Sequence, residues 1–152
     1  MRGRPSSLAS RLVTVDGNRL LLLPDGPDRL EAVLDLIGNA KTSLRLLYYM
    51  FAGDFSGKRV LAALMAARER GVAVSVLVDD FGSSMTPDGF FAGLREAGAS
   101  VCRFHPDWGR RYLIRNHQKM LLVDGETEDC RVMFLVWIAR MRRRPAVSGV
   151  PT

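Results

Sequence analysis

The amino-acid sequence predicts an α/β fold in which a largely parallel or mixed sheet is flanked by helices. Helical and strand patterns alternate along the chain, and each predicted helix ends at a glycine. The 152 residues are 47% hydrophobic and 25% charged, which is ordinary for a globular domain with a sizeable core. In sheets of this kind, the loops at the strand ends usually carry the ligand site.

Helices are predicted where apolar side chains recur at three- and four-residue spacing. They cover residues 27–38, 56–70 and 86–98. The third helix has the clearest start, because Thr86 is expected to cap it and Pro87 to fill its first turn. Asp88 adds a negative charge that favours the positive end of the helix dipole.

Strands are predicted at β-rich apolar runs over residues 42–51, 72–78 and 100–104, and from about Asn116 to Val123. Asp79 and Asp80 follow the second of these runs, where they either bind a cation or cap the next turn. His105 lies in a loop rich in Arg, Pro and Gly that precedes the last strand. It matches no motif, and we interpret it as a loop residue.

The net charge of +6 is concentrated at the two ends of the chain. Residues 1–20 contribute +3 and residues 130–152 contribute +5, whereas the residues between them carry −2. Basic ends of this kind either bind anionic lipid or nucleic acid, or are simply solvated. The acidic middle disfavours a groove that tracks a nucleic-acid backbone.

Composition also argues against several classes of protein. No apolar run approaches the roughly 20 residues of a membrane-spanning helix, and the N-terminus lacks the apolar stretch of a secretory signal. Cys102 and Cys130 form no CxxC pair and are too few for a disulfide framework. We therefore predict that both are small apolar core residues of a protein in a reducing cytosol.

The chemistry is expected at residues 117–124 (HQKMLLVD), which have the form H-x-K-x-x-x-x-D. Residues i and i+2 of a strand point to the same side, so His117 and Lys119 are predicted to share one site. A neutral imidazole attacks phosphorus or carries a proton near neutral pH, and an ammonium stabilises charge on phosphate oxygens. Asp124 fits this site less well, because seven residues of straight strand separate it from His117 by roughly 23 Å. We interpret Asp124 as a strand-end turn residue.

His117, Lys119 and Asp124 resemble the defining motif of the phospholipase D superfamily, and their context resembles bacterial cardiolipin synthases. The resemblance covers residues 18–127 and implies a single phospholipase D-like lobe. Its other matching positions are 49–54 (YMFAGD), Gly57, 69–72 (ERGV), 77–79 (LVD), 82–83 (GS), 115–116 (RN) and 124–125 (DG).

The resemblance implies a site shared by two lobes. In the superfamily two such motifs meet, one histidine forms a phospho-histidine, and the other protonates the leaving alcohol. His117, Lys119 and Asp124 are thereby implied as catalytic residues. Asn116 and Tyr49 are implied as substrate-binding residues, and neither a metal nor another cofactor is required.

The implied function is phosphatidyl transfer on phospholipids, of the cardiolipin synthase or phospholipase D type, as half of a two-motif active site. The implied partners are a phospholipid substrate, a membrane surface and a second catalytic half from another copy or chain. Such a protein would be cytoplasmic and peripheral at the membrane, and nucleic acid is the less favoured substrate. Two alternatives stay open, an inactive truncated half-lobe and a homodimeric phosphodiesterase or nuclease of the same superfamily.

The composition changes abruptly after Thr127. The resemblance implies an apolar strand ending in Gly-Gly or Gly-Ser here, but residues 128–136 read EDCRVMFLV. The sequence thus predicts a basic flank (1–17), a catalytic half-domain that lacks its last strands (18–127) and an aberrant basic tail (128–152). Codons for residues 129–133, read one base later, can give Ile-Val-Gly-Ser-Cys, so one hypothesis is a tail translated out of frame. The other is a native tail that docks on a membrane or a partner.

Overall fold

The computed structural model describes residues 12–16, 18–104, 117–125 and 131–134. The helices are α1 (Gly26–Gly38), α2 (Phe55–Glu69) and α3 (Ala92–Glu96), and a 3₁₀ turn (Asp88–Phe91) leads into the last of them. The strands are β1 (Leu12–Val15), β2 (Asn18–Leu21), β3 (Ser43–Tyr48), β4 (Ala73–Asp79), β5 (Ser100–Phe104), β6 (Lys119–Val123) and β7 (Arg131–Phe134). None of these helices is long and apolar enough to cross a lipid bilayer.

Five of the described strands form one mixed sheet in the order β5-β4-β3-β6-β7. β3 and β4 are parallel, as are β4 and β5, whereas β6 and β7 each run antiparallel to their inner neighbours. The parallel pairs arise because α2 connects β3 to β4 and α3 connects β4 to β5, and a parallel neighbour needs such a crossover. The predicted α/β fold with a mixed sheet flanked by helices is confirmed.

One face of the sheet packs against the helices and supplies the core. Leu44 and Leu46 of β3 belong to the same buried cluster as Ile37 of α1 and Leu64 of α2, and each is at most 2% exposed. Arg45 stands between the two buried leucines and is exposed. This alternation is what the two-residue period of a strand requires, and it allows β3 to be predicted from the sequence.

The opposite face carries several apolar side chains beside the exposed Arg45, and these apolar side chains are partly accessible in the described part of the chain. Leu77 and Phe104 are 37% and 45% exposed. Cys102 is paired with Leu77 on this face and is exposed, so its predicted place in the core is wrong. The reason is the register of β5, in which Val101 and Arg103 take the covered side.

The third predicted helix begins differently from its sequence pattern. A 3₁₀ turn precedes α3, and no side chain caps that turn. Thr86, the predicted cap, instead donates its hydroxyl hydrogen to the backbone carbonyl of Phe51. A contact between distant segments therefore takes the hydroxyl that the local pattern assigns to helix capping.

Three strands were not predicted. β1 and β2 pair as an antiparallel hairpin near the N-terminus. β7 pairs with β6 inside segment 128–152, where no further strand was expected, so that expectation is wrong for these residues. Only Arg131 and Met133 of β7 face the covered side, and two positions are too few for an alternation to show in the sequence.

Candidate active site

His117, Lys119 and Tyr49 come together where the chain leaves β3 and enters β6. The imidazole of His117 stacks on the ring of Tyr49, with centroids 3.9 Å apart and planes inclined by 25°. The Lys119 ammonium lies 5.7 Å from the centroid of the same ring. It also donates a hydrogen bond to the His117 backbone carbonyl at 3.0 Å. The structure thus brings together the residues that the spacing predicted to share a site, and their catalytic roles stay predictions.

Strand pairing explains why these residues meet. β6 runs antiparallel to β3 with Lys119 opposite Tyr48, the last residue of β3. His117 stands two residues before β6, not within it as predicted. Its ring contacts Tyr49, the first residue after β3. His117 is exposed and Tyr49 is half-buried, so the imidazole is accessible to a ligand while the phenol ring supports it.

Tyr48 and Tyr49 point into different surroundings. The ring of Tyr48 packs edge-on against Phe51 with centroids 5.7 Å apart, and Phe51 in turn contacts Phe90 and Phe91. Burial raises the pKa of Tyr48 to about 12, because its phenolate would lose hydration. Of the two tyrosines, Tyr48 therefore packs against the core and Tyr49 contacts His117.

Asp124 lies at the other end of β6 and binds the turn before β3. Its carboxylate accepts hydrogen bonds from the N–H groups of Lys41, Thr42 and Ser43 at 2.8 to 3.2 Å. Burial by itself raises the pKa of Asp124, but these bonds and the Thr42 hydroxyl outweigh burial and lower it to about 2. Arg131 of β7 adds an ion pair at 3.7 Å. The structure thus places Asp124 in a turn, as its spacing from His117 indicated, and apart from the group around Tyr49.

The loop after β4 holds the chain around Tyr49. Ser83 is 1% exposed. Its hydroxyl accepts from the N–H of Phe51 at 3.0 Å and donates to the carbonyl of Tyr49 at 3.4 Å. Gly82 lies so close that a Cβ on it would be 2.2 Å from the Tyr49 carbonyl oxygen. The sequence assigned these two residues no role, although a Gly-Ser pair two residues after the strand-ending acidic pair was the available signal.

Asp79 and Asp80 stand at the start of the same loop and make polar contacts there. Asp79 Oδ1 accepts a hydrogen bond from the N–H of Gly82 at 3.0 Å, and Asp80 forms an ion pair with Arg103 at 3.3 Å. Of the two predicted roles, turn capping is therefore confirmed for Asp79. Throughout the described ranges, no group of three or more His, Cys, Asp or Glu side chains is arranged to hold a metal ion.

A cavity adjoins the same end of β3. It has a volume of about 400 Å³, and Tyr48, Met50 and Phe51 line it together with the N-terminal turns of α1 and α2. Most of its wall is apolar. Three residues named from the sequence, Asn116, His105 and Cys130, lie outside the described residues.

The mixed sheet with an H-x-K-x-x-x-x-D motif along β6 defines a phospholipase D-like lobe. The family profile described as "Cardiolipin synthase, PLD-like domain" matches residues 33–135. This chain belongs to that family, and the resemblance stated from the motif is confirmed. The match runs past Thr127 and includes β7.

Individual relatives agree with the family match. The chain is 38% identical over 119 residues to the major cardiolipin synthase ClsA of Bacillus subtilis (strain 168), an alignment that covers 76% of this chain and 25% of that protein. It is 36% identical over 115 residues to cardiolipin synthase 1 of Staphylococcus epidermidis, covering 73% of this chain and 24% of that protein. The chain thus spans about a quarter of the length of these curated relatives.

Among solved structures, the chain is similar to Nuc of Salmonella typhimurium, a phospholipase D family member. The TM-score is 0.48 and the identity 28%, over 62% of this chain and 57% of that chain. NucT of Helicobacter pylori gives a TM-score of 0.48 at 17% identity, over 64% of this chain and 61% of that chain.

Proposed function

We propose that this chain supplies one half of a phosphatidyl-transfer site, in which His117 is the nucleophile and Lys119 holds the phosphate. The observation that carries the proposal is the accessible His117 ring, stacked on Tyr49 with the Lys119 ammonium beside the same ring. Stacking fixes the plane of the imidazole through its face and does not occupy its ring nitrogens. Such fixed orientation lowers the entropic cost of reaching the attack geometry.

The proposed reaction has two half-reactions. A ring nitrogen of neutral His117 attacks the phosphorus of a phospholipid, forming an N–P bond while the P–O bond to the leaving alcohol breaks. A histidine of the second motif protonates the leaving oxygen. The acceptor alcohol then gives its proton to that histidine and attacks phosphorus, which breaks the N–P bond and releases His117.

Lys119 is proposed to stabilise the negative charge that develops on the non-bridging oxygens. An ammonium carries three N–H donors, so the group that bonds to the His117 carbonyl at 3.0 Å has the valence to bind phosphate as well. That bond also holds the ammonium close to the nucleophile. Asp124 has a supporting part in this proposal, since it fastens the far end of β6 to the start of β3.

The second histidine is proposed to come from another copy or another chain, since the family resemblance implies a site that two H-x-K-x-x-x-x-D motifs share. A phospholipid substrate is supported by the relatives named as cardiolipin synthases. It is also supported by the largely apolar cavity beside Tyr48, which offers room for an apolar part of a lipid. The basic ends of the chain suit peripheral contact with an anionic membrane.

The test is turnover of phosphatidylglycerol in vesicles by the chain alone and by the chain mixed with a complementing lobe of a related synthase. A lipid labelled in the phosphatidyl group should leave an acid-labile label on the protein, and His117→Ala should remove it. Single-stranded DNA and excess chelator are run in parallel. Cleavage of DNA without lipid turnover would replace the lipid assignment by a nuclease, and full dependence on added divalent metal would reject the histidine mechanism.

A further inference from the structure

We propose that the loop at residues 80–88 is the positioning element of this site, and that Gly82 and Ser83 set the place of Tyr49 against His117. The geometric part of this inference stands on the contacts of the loop alone. Its expected effect on turnover rests on the proposed function. Ser83 is therefore a positioning residue, which acts on the imidazole through Tyr49.

Ser83 connects the loop to the chain on either side of Met50. Its hydroxyl accepts from the N–H of Phe51 at 3.0 Å and donates to the carbonyl of Tyr49 at 3.4 Å. A serine hydroxyl has one donor, which this arrangement directs to Tyr49. Because Ser83 is 1% exposed, water has little access to replace either bond. The backbone that carries the Tyr49 ring is thus fixed by a buried side chain from the loop after β4.

The loop itself is held at both ends. Its start is anchored to β4, where the N–H of Ser83 donates to the carbonyl of Asp79 at 3.0 Å. Further along, the Thr86 hydroxyl donates to the Phe51 carbonyl. Arg103 of β5 then donates to the Thr86 carbonyl at 2.6 Å. The loop therefore fixes the segment that follows β3 relative to β4 and β5.

Gly82 makes the contact too close for any other residue. A Cβ at this position would lie 2.2 Å from the Tyr49 carbonyl oxygen and 3.1 Å from the Tyr49 ring atom Cδ2. The first atom belongs to the backbone, so relief requires the loop and the 49–51 segment to move apart. The Tyr49 ring would move with its backbone, and the imidazole stacked on it at 3.9 Å would lose its support.

The experiment uses two matched pairs of variants in the full chain. Ser83→Ala is compared with Ser84→Ala, which changes the exposed neighbour. Gly82→Ala is compared with Gly89→Ala, where an added Cβ meets nothing within 4 Å. The first readout is the Hε1 proton resonance of His117, which the ring current of Tyr49 displaces. The chain has two histidines, so His105→Gln assigns the resonance.

In Ser83→Ala and Gly82→Ala we expect the His117 resonance to move toward its position in a free peptide, while both controls keep it in place. Spectra are recorded below the thermal midpoint of each variant, and Ser83→Ala decides alone if Gly82→Ala does not fold. Phosphatidylglycerol turnover is the second readout. We expect kcat to fall about tenfold or more with little change in KM, since small misplacements of a reacting group cost roughly this much.

An unmoved His117 resonance in folded Ser83→Ala would overturn the inference, even if the thermal midpoint falls. Ser83 would then contribute to the stability of the fold and not to the position of His117. If Ser83→Ala displaces the His117 resonance but the wild-type chain turns over no lipid, the positioning role is upheld and the proposed function is rejected. The two failures are therefore distinguishable.

Discussion

Asp124 and Thr42 are joined twice: Asp124 Oδ1 accepts both the Thr42 N–H at 2.8 Å and the Thr42 hydroxyl at 3.0 Å. The backbone N–H of Asp124 in turn donates to the Ser43 carbonyl at 2.9 Å. Asp124 is 1% exposed and has a φ of 52°, a left-handed conformation that aspartate tolerates better than most residues. One carboxylate thus connects the start of β3, at the centre of the sheet, to the end of β6, which carries Lys119.

Asp124→Asn should lower the free energy of unfolding by about 2–3 kcal/mol, because the hydrogen bonds that N–H groups donate to Asp124 are stronger to a charged acceptor than to an amide. Urea denaturation measures this change. Asp35→Asn, on the exposed side of α1, is the matched control and should change stability little. Equal stability of Asp124→Asn and wild type would contradict the assignment of Asp124 to the turn.

The stability that Asp124 contributes should depend on pH in a defined direction. Its pKa in the folded chain is about 2, below the ordinary value of 3.8. A lowered folded pKa means that the contribution is complete above the unfolded pKa and is lost as pH falls through the folded pKa. The difference in unfolding free energy between wild type and Asp124→Asn should therefore be largest above about pH 5 and shrink toward pH 2. A difference that does not change over this range would contradict the origin of the lowered pKa.

Tyr48 should titrate above the ordinary pKa of a tyrosine. Burial raises its pKa to about 12 from an ordinary 10.0, so its neutral form stabilises the fold below pH 10 and this contribution is lost as pH rises through the folded value. Absorbance at the phenolate band should show a late phase near pH 12. Tyr48→Phe should remove that phase, and the matched control Tyr49→Phe should retain it. If Tyr49→Phe removes the late phase instead, the raised pKa belongs to Tyr49 and its assignment to Tyr48 is wrong.

The elements that pack against the core were predictable, because their buried positions are apolar residues that recur with the period of a helix or a strand. β5 has the predicted bounds, Ser100–Phe104. α2 differs from its predicted range by one residue at each end, and β3 begins one residue later and ends three residues earlier than predicted. The pairing of His117 with Lys119 was also predictable from two-residue spacing. In each case the relevant physics acts between residues that are close in the sequence.

Contacts between distant segments were not predictable. The bond from Ser83 to the carbonyl of Tyr49 spans 34 positions, and the bond from Thr42 to Asp124 spans 82. Local patterns assigned Thr86 to a helix cap and Cys102 to the core, and the packing of the segments decided otherwise. Strand direction also matters, since the antiparallel entry of β6 is what brings His117 to Tyr49.

The proposed role of Lys119 can be separated from a role in folding. Lys119→Ala should reduce phosphatidylglycerol turnover by about 100-fold or more, the scale expected for losing one group that stabilises transition-state charge. His117→Ala should abolish turnover. Lys58→Ala is the matched control, because Lys58 is an exposed lysine of α2 on another part of the chain.

Lys119 has a second contact that the measurement must take into account, since its ammonium also bonds to the His117 carbonyl at 3.0 Å. Loss of that bond would displace the imidazole, whereas loss of the charge would weaken the transition state with the imidazole in place. Lys119→Met keeps much of the side-chain bulk but removes both the hydrogen bond and the positive charge. The His117 Hε1 resonance is therefore compared in Lys119→Met and wild type. An unmoved resonance with turnover down by about 100-fold supports direct charge stabilisation. Turnover equal to that of Lys58→Ala would contradict any catalytic part for Lys119.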